Sequence, residues 1–114
     1  MNSSYLRFLS LVHALDTAPA HLSTVDVTAK LLLDVVAVNH ANGSPMTVSD
    51  AMSLSAIASP ATVHRKLDDL RESGLIEQVF EGKNRRTKYL VPTAAAGDYY
   101  AHLDKLMRQA LGSH

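Results

Sequence analysis

The sequence predicts an α+β domain that is mainly α-helical. Apolar residues recur at helical spacing in several segments, which indicates amphipathic helices. A capped helix beginning at Ser59 ends at Gly74, and two short apolar runs joined by a polar turn follow it, as in a β-hairpin. The chain has 114 residues, which suits one domain, and its apolar fraction of 46% is enough for a folded core.

The first element is a helix close to the amino terminus, over residues 3–15. Its apolar residues cover a wide arc, which a short helix on a small domain seldom buries within its own chain. Residues 16–23, which include Pro19, are expected to form a connection. The main stripe of this helix comprises Tyr5, Phe8, Leu9, Val12 and Leu15.

A second helix is predicted from a cap at Thr24 to about His40. Asp26 and Lys30 have the spacing of a favourable i,i+4 ion pair. The interior of this helix is apolar nearly all round, so we expect it to be central and the most buried. The residues concerned are Leu31, Leu32, Val35, Val36 and Val38.

The third and fourth helices form a helix-turn-helix pattern. Thr47 and Asp50 resemble a capping box and start a short helix over 48–54. After a turn, Ser59 caps the fourth helix, and Pro60 occupies its first position, where a missing N–H has no cost. Inside this helix Val63, Leu67 and Leu70 lie at i, i+4 and i+7, which predicts one buried stripe.

The hairpin and a last helix complete the chain. Residues 75–80 read as one strand and residues 86–91 as the returning strand, with turn residues between them. Pro92 should block continuation of the strand, and Thr93 should cap the last helix. The apolar residues of that helix are Tyr99, Tyr100, Leu103, Leu106, Met107, Ala110 and Leu111.

A capped helix, a glycine stop and a hairpin with a basic tip together predict a winged helix-turn-helix with additional helices at both ends. Seven of the eleven Lys and Arg residues lie between Arg65 and Lys88, so a chain of net charge zero still presents a positive stripe. The amino-terminal end of the fourth helix is the end that approaches base edges in helix-turn-helix proteins. Basic residues at the hairpin tip suit a minor groove, whose negative potential attracts arginine.

The candidate DNA-contacting residues follow from this geometry. At 100° per residue, the residues that point away from the buried stripe are Ala61, Thr62, Arg65, Lys66 and Asp69, and His64 lies nearer the side. The helix contributes Ser59, Ala61, Thr62, His64, Arg65 and Lys66, and the wing contributes Lys83, Asn84, Arg85, Arg86 and Lys88. Asp68, Asp69 and the neutral net charge oppose DNA binding.

The segment 62–67, with Leu70 and the run Gly74-Leu75-Ile76-Glu77, resembles the recognition helix and first wing strand of MarR-type winged-helix transcriptional regulators. The run 84–86, followed by Tyr89, Leu90 and Thr93, is similar to their wing and the start of their dimerisation helix. Asn84 stands where that family usually has the aspartate that orients the wing arginine, and Ala96 replaces its glycine.

The resemblance implies a homodimeric regulator of double-stranded DNA. It gives the minor-groove role to Arg85 or Arg86, with residues 1–23 and 93–114 for dimerisation and residues 24–92 as the DNA-binding core. Because exposed apolar surface usually marks an interface, the terminal helices are expected to form the dimer contacts. The expected interface residues are Tyr5, Phe8, Leu9, Val12, Tyr99, Tyr100, Leu103, Leu106 and Met107.

Other functions are less well supported by the sequence. No cofactor, no catalytic motif and no metal-binding spacing of the six histidines is found. The absence of cysteine suits a cytoplasmic protein, and no run is long enough to predict a membrane span. Two alternatives stay open: a winged helix that binds protein rather than DNA, and a regulator whose small-molecule effector contacts His13, His102 or the tyrosines.

Overall fold

The computed structural model describes residues 4–14, 26–83 and 85–112, and gives the backbone alone for residues 12–14. Within these ranges the order of elements confirms a mainly helical α+β chain with a two-stranded wing. The helices are α1 (Ser4–Ala14), α2 (Val27–Ala41), α3 (Val48–Met52), α4 (Pro60–Glu72) and α5 (Ala94–Gly112), and the strands are β1 (Ile76–Phe80) and β2 (Lys88–Pro92).

Helix α2 begins at Val27, later than the sequence suggested. Asp26 is the cap, because its backbone is extended and its carboxylate accepts a hydrogen bond from the amide of Ala29 at 2.8 Å. Thr24, the predicted cap, lies outside the described residues. The predicted pair between Asp26 and Lys30 was also wrong: Lys30 instead pairs with Asp34 at 2.7 Å, one turn further along the helix.

The hydrophobic core lies between α2, α4 and the wing. The predicted stripe of α4 is confirmed, since Val63, Leu67 and Leu70 are all buried. They pack in one cluster with buried residues of α2, namely Ala29, Leu32, Leu33 and Val36. The expected central position of α2 is confirmed, since it packs against both α4 and β2. Its apolar character extends beyond the buried face, because Leu31 and Val38 are exposed on the side of α2 away from this cluster.

Two local devices fix the connections of the helix-turn-helix. The predicted capping box of α3 is confirmed: the Thr47 hydroxyl accepts from the Asp50 amide at 3.1 Å, and the Asp50 carboxylate accepts from the Thr47 amide at 3.0 Å. Helix α3 ends at Met52, two residues earlier than expected. At the far end of α4, Gly74 adopts a φ of +75°, a conformation that favours glycine and that turns the chain into β1.

The wing is an antiparallel pair in which Ile76 lies opposite Pro92 and Phe80 lies opposite Lys88. Strand β2 begins at Lys88 rather than Arg86, and Pro92 is its last paired residue rather than a residue beyond it. The buried Leu90 donates from its amide to the carbonyl of Met46 at 2.7 Å, so the wing is tied to the segment that enters α3.

Helix α5 leaves the wing through Thr93 and then packs against α1. The Thr93 hydroxyl donates to the carbonyl of Gly74 at 2.6 Å and accepts from the amide of Ala96 at 3.3 Å, which confirms the predicted cap. Leu106 and Ala110 are buried further along α5. Among the helices that the structure describes, none combines the length and the apolar character needed to cross a bilayer.

Candidate nucleic-acid interface

The amino-terminal end of α4 is exposed and tightly capped. The Ser59 hydroxyl accepts from the Thr62 amide at 3.3 Å and donates to the Thr62 hydroxyl at 3.0 Å. Pro60 at the first helical position adds no N–H of its own. The two hydroxyls therefore hold one another in place at the end of the helix that carries a partial positive charge.

Arg65 is an exposed cation in the amino-terminal half of α4. It is exposed, as are Ala61 and His64, so the helix presents these three side chains on its outer face. Within the described ranges no hydrogen bond or ion pair engages the guanidinium of Arg65. Its donors are available for an external acceptor, and a guanidinium is suited to guanine O6 and N7 or to phosphate oxygens.

Lys66 does not project outward as the sequence predicted. Its side chain is only 17% exposed, and its ammonium pairs with the carboxylate of Asp26 at the start of α2. The same pair holds the pKa of Asp26 below its ordinary value, mainly through the hydrogen bond from Lys66. Helical periodicity could not show this contact, because it joins residues 40 positions apart in the sequence. A DNA contact from Lys66 would require this ion pair to break.

The two acidic residues that oppose DNA binding are both close to cations of the same helix. Asp68 lies 3.4 Å from the imidazole Nδ1 of His64 and 3.6 Å from the guanidinium of Arg71. Asp69 lies 3.9 Å from the ammonium of Lys66. These acids are in the carboxyl-terminal half of α4, so they lie beyond the end that carries Ala61 and Arg65.

The wing places its basic residues around an aromatic ring. Lys83, Arg85, Arg86 and Lys88 are all exposed. The Cζ of Arg85 lies 5.4 Å from the ring centroid of Phe80, and the Nζ of Lys88 lies 5.5 Å from it. Asn84 lies outside the described residues. Phe80 was not among the residues predicted from the sequence, although a bulky aromatic at the end of a strand beside a basic turn was a visible signal.

An open groove separates the wing from the start of α3. The residues that line it include Thr47, Val48 and Ser49 on the helix side and Phe80, Arg85 and Lys88 on the wing side. The aromatic ring and its two cations therefore belong to one continuous surface with the helix-turn-helix.

Several residues expected at a dimer interface instead contact their own chain. The Tyr100 hydroxyl donates to Asp34 at 2.6 Å, and burial together with this carboxylate raises the pKa of Tyr100. The ammonium of Lys30 lies 5.6 Å from the Tyr99 ring centroid and 5.9 Å from that of Tyr100. Leu106 is buried within one chain. These three positions therefore contribute to packing within the chain, and their place in a dimer interface stays a prediction.

Of the other residues expected at the interface, some are partly exposed to solvent and others are fully exposed. Phe8, Leu9 and Leu103 are half-buried on α1 and α5. The side chain of Val12 lies outside the described residues. Among the described side chains of the two helices, the large apolar residues that are exposed are Tyr5, Leu6, Met107 and Leu111, of which Leu6 and Leu111 were not among the expected contacts.

No group of three or more histidine, aspartate or glutamate side chains is arranged to hold a metal ion in the part of the chain that the structure describes. Several ionisable residues of the helix-turn-helix and wing form ion pairs and contacts with aromatic rings.

Solved structures share this fold with the chain. A MarR-like transcriptional regulator of Thermotoga maritima matches with a TM-score of 0.66 at 18% identity, over 96% of this chain and 79% of that one. The protein Rv1404 of Mycobacterium tuberculosis gives 0.59 at 16% identity, over 98% and 78% of the two chains. FabT of Streptococcus pneumoniae, solved in complex with DNA, gives 0.56 at 21% identity, over 95% and 71%.

At these identities the similarity establishes the fold: a winged helix with additional terminal helices, as in the MarR-like structure. No family model matches the sequence, and no curated protein matches it significantly.

Proposed function

We propose that this chain is a cytoplasmic, MarR-type transcriptional regulator that binds double-stranded DNA in a sequence-specific manner as a homodimer. Helix α4 would enter the major groove, and the wing would contact the minor groove or the backbone beside it. The observation that carries the proposal is the combination of an exposed Arg65 on α4, with its donors available, and four exposed cations on the adjacent wing. The fold of a protein solved on DNA supports the same interpretation.

The charges have the roles that DNA recognition requires. The wing cations would neutralise phosphates, a contact that adds affinity for every sequence. Arg65 is the best candidate for reading a base, because a guanidinium can donate two hydrogen bonds to guanine in the major groove. Ala61, Thr62 and His64 would lie beside it, and Ser59 would fix the end of the helix.

The dimer is part of the proposal because one α4 reads only a few base pairs. A two-fold axis would place two copies of α4 about one DNA turn apart, roughly 34–36 Å, and would require a near-palindromic site. Residues 24–92 would form the DNA-binding core, and residues 1–23 and 93–114 would supply the contacts between subunits. Exposed apolar residues on α1 and α5 support this assignment.

Selection of binding sites from random duplex DNA tests the proposal directly. We expect enrichment of a sequence with two inverted half-sites, and binding that weakens as salt increases. An Arg65→Ala variant carried through the same selection serves as the control for the role of α4. Failure to enrich any sequence, together with no retention on random duplex at low salt, would reject DNA binding.

A protein-interaction module is the second candidate, and the neutral net charge favours it. The ion pair of Asp68 with Arg71 also reduces the positive charge of α4. The two functions differ in one simple measurement. A protein-interaction module would elute from heparin and random duplex DNA at low salt, whereas a DNA-binding regulator would be retained.

A further inference from the structure

Phe80 occupies a position that core packing does not explain. It is the last residue of β1, and 37% of it is exposed, whereas the side chains of the core cluster are almost fully buried. Burying a phenylalanine normally contributes through apolar area removed from water, and this ring forgoes part of that gain. The basic residues of the adjacent turn are the other groups that this ring can contact.

Phe80 lies where β1 meets the turn of the hairpin, and two cations are close to its ring. Phe80 is directly opposite Lys88 in the register of the hairpin. The turn then brings Arg85 back toward the strand, with Gly82 adopting a φ of +60° that favours glycine. At 5.4 Å and 5.5 Å from the ring centroid, both cations are within the distance of about 6 Å at which an aromatic ring attracts positive charge.

Two cations at one aromatic ring repel each other, which is unfavourable unless something offsets the repulsion. The negative face of an aromatic ring does so, and it also limits the rotamers of two long side chains. If the side chains of the two cations are already ordered in the free protein, they lose less conformational entropy when they bind a phosphate backbone. Cations that move independently lose more. Arg85, Lys88 and Phe80 all line the groove that faces α3, so the ring and its two cations lie on the helix-turn-helix side of the wing.

We infer that Phe80 is the positioning residue of the wing: its ring holds Arg85 and Lys88 together as one DNA-contacting unit. The inference rests on the proposed function. It names the residue that positions the wing cations for their contacts with phosphates. Phe80 acts through the two cations and is not itself assigned a contact with DNA.

The test compares Phe80→Leu, which keeps an apolar side chain but removes the ring, with Phe80→Tyr, which keeps the ring. Affinity for fluorescent random-sequence duplex is measured at low salt for the wild type and both variants. We expect Phe80→Leu to weaken binding by about 2- to 5-fold for each of the two cations that the ring no longer holds, and Phe80→Tyr to retain wild-type affinity. Melting temperatures of the three proteins check that the fold is intact.

A variant that lacks both cations distinguishes a positioning role of Phe80 from a structural role. In an Arg85→Ala/Lys88→Ala protein, Phe80→Leu should cause no further reduction in affinity, because the groups through which it acts are gone. In the wild type without DNA, NMR should show upfield ring-current shifts of the methylene protons beside the charged groups of Arg85 and Lys88. That measurement stands even if Phe80→Leu fails to fold.

The results of these experiments distinguish failure of the Phe80 role from failure of the proposed DNA binding. Unchanged affinity of Phe80→Leu, equal reductions for Leu and Tyr, persistence of the reduction in the double-alanine background, or absence of ring-current shifts overturns the positioning role alone. A wild-type protein that binds no DNA at low salt overturns the proposed function and the inference with it.

Discussion

Arg65 is the single residue whose chemistry most directly tests base recognition. It is exposed near the amino-terminal end of α4, where no described side chain competes for its donors. If it reads a base, Arg65→Ala should weaken binding to the selected site by about 1–3 kcal/mol and relax preference at one position in each half-site. Fluorescence anisotropy on the site and on single-base variants measures both effects.

Arg71→Ala is the matched control for that prediction. Arg71 lies on the same helix but near its other end, and its guanidinium is 3.6 Å from Asp68. Its removal should leave the sequence preference unchanged. A fall in affinity without relaxed preference in the Arg65 variant would assign that guanidinium to phosphate, and unaltered affinity would mean that α4 does not face DNA as proposed.

Asp26 gives a prediction about pH. Because its pKa is lowered in the folded protein, the ion pair with Lys66 contributes stability above the ordinary pKa of 3.8, and this stability disappears as pH falls through the folded-state value. Asn is an equally good helix cap, so Asp26→Asn removes the charge and keeps the cap. The variant should melt below the wild type at neutral pH and converge with it in acid.

Thermal melts of both proteins from neutral pH to below pH 3.8 check this. Asp104→Asn is a suitable control, because the partner of Asp104 is Arg108 four residues along the same exposed helix. Exposed pairs of this kind contribute little to stability. A constant difference between the wild type and Asp26→Asn at all pH values would show that the cap, and not the charge, is responsible.

At the scale of elements, α4 combines a buried face with a face for recognition, and the two can be tested separately. Leu67 is buried in the cluster shared with α2. Leu67→Ala should lower the free energy of unfolding by about 2–5 kcal/mol, as core truncations of leucine do. Leu31→Ala in α2 is the control, because Leu31 is exposed and its truncation should cost little. Equal denaturation midpoints for the two variants would contradict the assigned core.

The wing is the second element that can be tested by itself, through electrostatics. If Lys88 binds one phosphate, Lys88→Ala should lower affinity for all duplex sequences alike and reduce the slope of log affinity against log salt by about 0.9. Lys105→Ala removes an equal charge from α5, outside the wing, and should leave the slope unchanged. A wild-type affinity that does not vary with salt would exclude phosphate contacts by the wing.

Elements whose signals are local were predictable from the sequence, whereas contacts between distant residues were not. The caps Ser59 and Thr93, the α4 stripe and the Gly74 stop all follow from residues within a few positions of one another. The inward position of Lys66 depends on where α2 begins, and that start was itself misplaced. The role of Tyr100 depends on Asp34, which is 66 positions away.

The same distinction explains why Phe80 was absent from the predicted site. The basic residues of the wing are visible as a charge cluster, but the distance of two of them from the Phe80 ring depends on the hairpin register and the path of the turn. Likewise, an apolar stripe on a terminal helix indicates burial without naming the partner. Leu106 is buried by its own chain, whereas Met107 beside it is exposed.

At the scale of the whole molecule, the proposed dimer depends on the surface through which two copies would pair. The large apolar side chains that are exposed in the described parts of α1 and α5 are Tyr5, Leu6, Met107 and Leu111. They lie on helices that flank the winged helix in sequence, so pairing of these helices would leave α4 and the wing open to DNA. Assembly through this surface predicts that a charge placed on it separates the subunits without unfolding the chain.

Met107→Asp is the sharpest such change, because Met107 is exposed while its neighbour Leu106 holds α5 to its own chain. Light scattering should give a dimer for the wild type and a monomer for Met107→Asp, with a nearly unchanged melt of the single chain. His102→Asp, an equal charge at another exposed position of α5, should remain a dimer if it lies outside the contact.

The monomer should bind a palindromic site much more weakly than the dimer and gain nothing from the second half-site, because each subunit would then bind independently. A wild-type chain that remains monomeric at micromolar concentration, yet binds a palindrome tightly, would rule out this assembly.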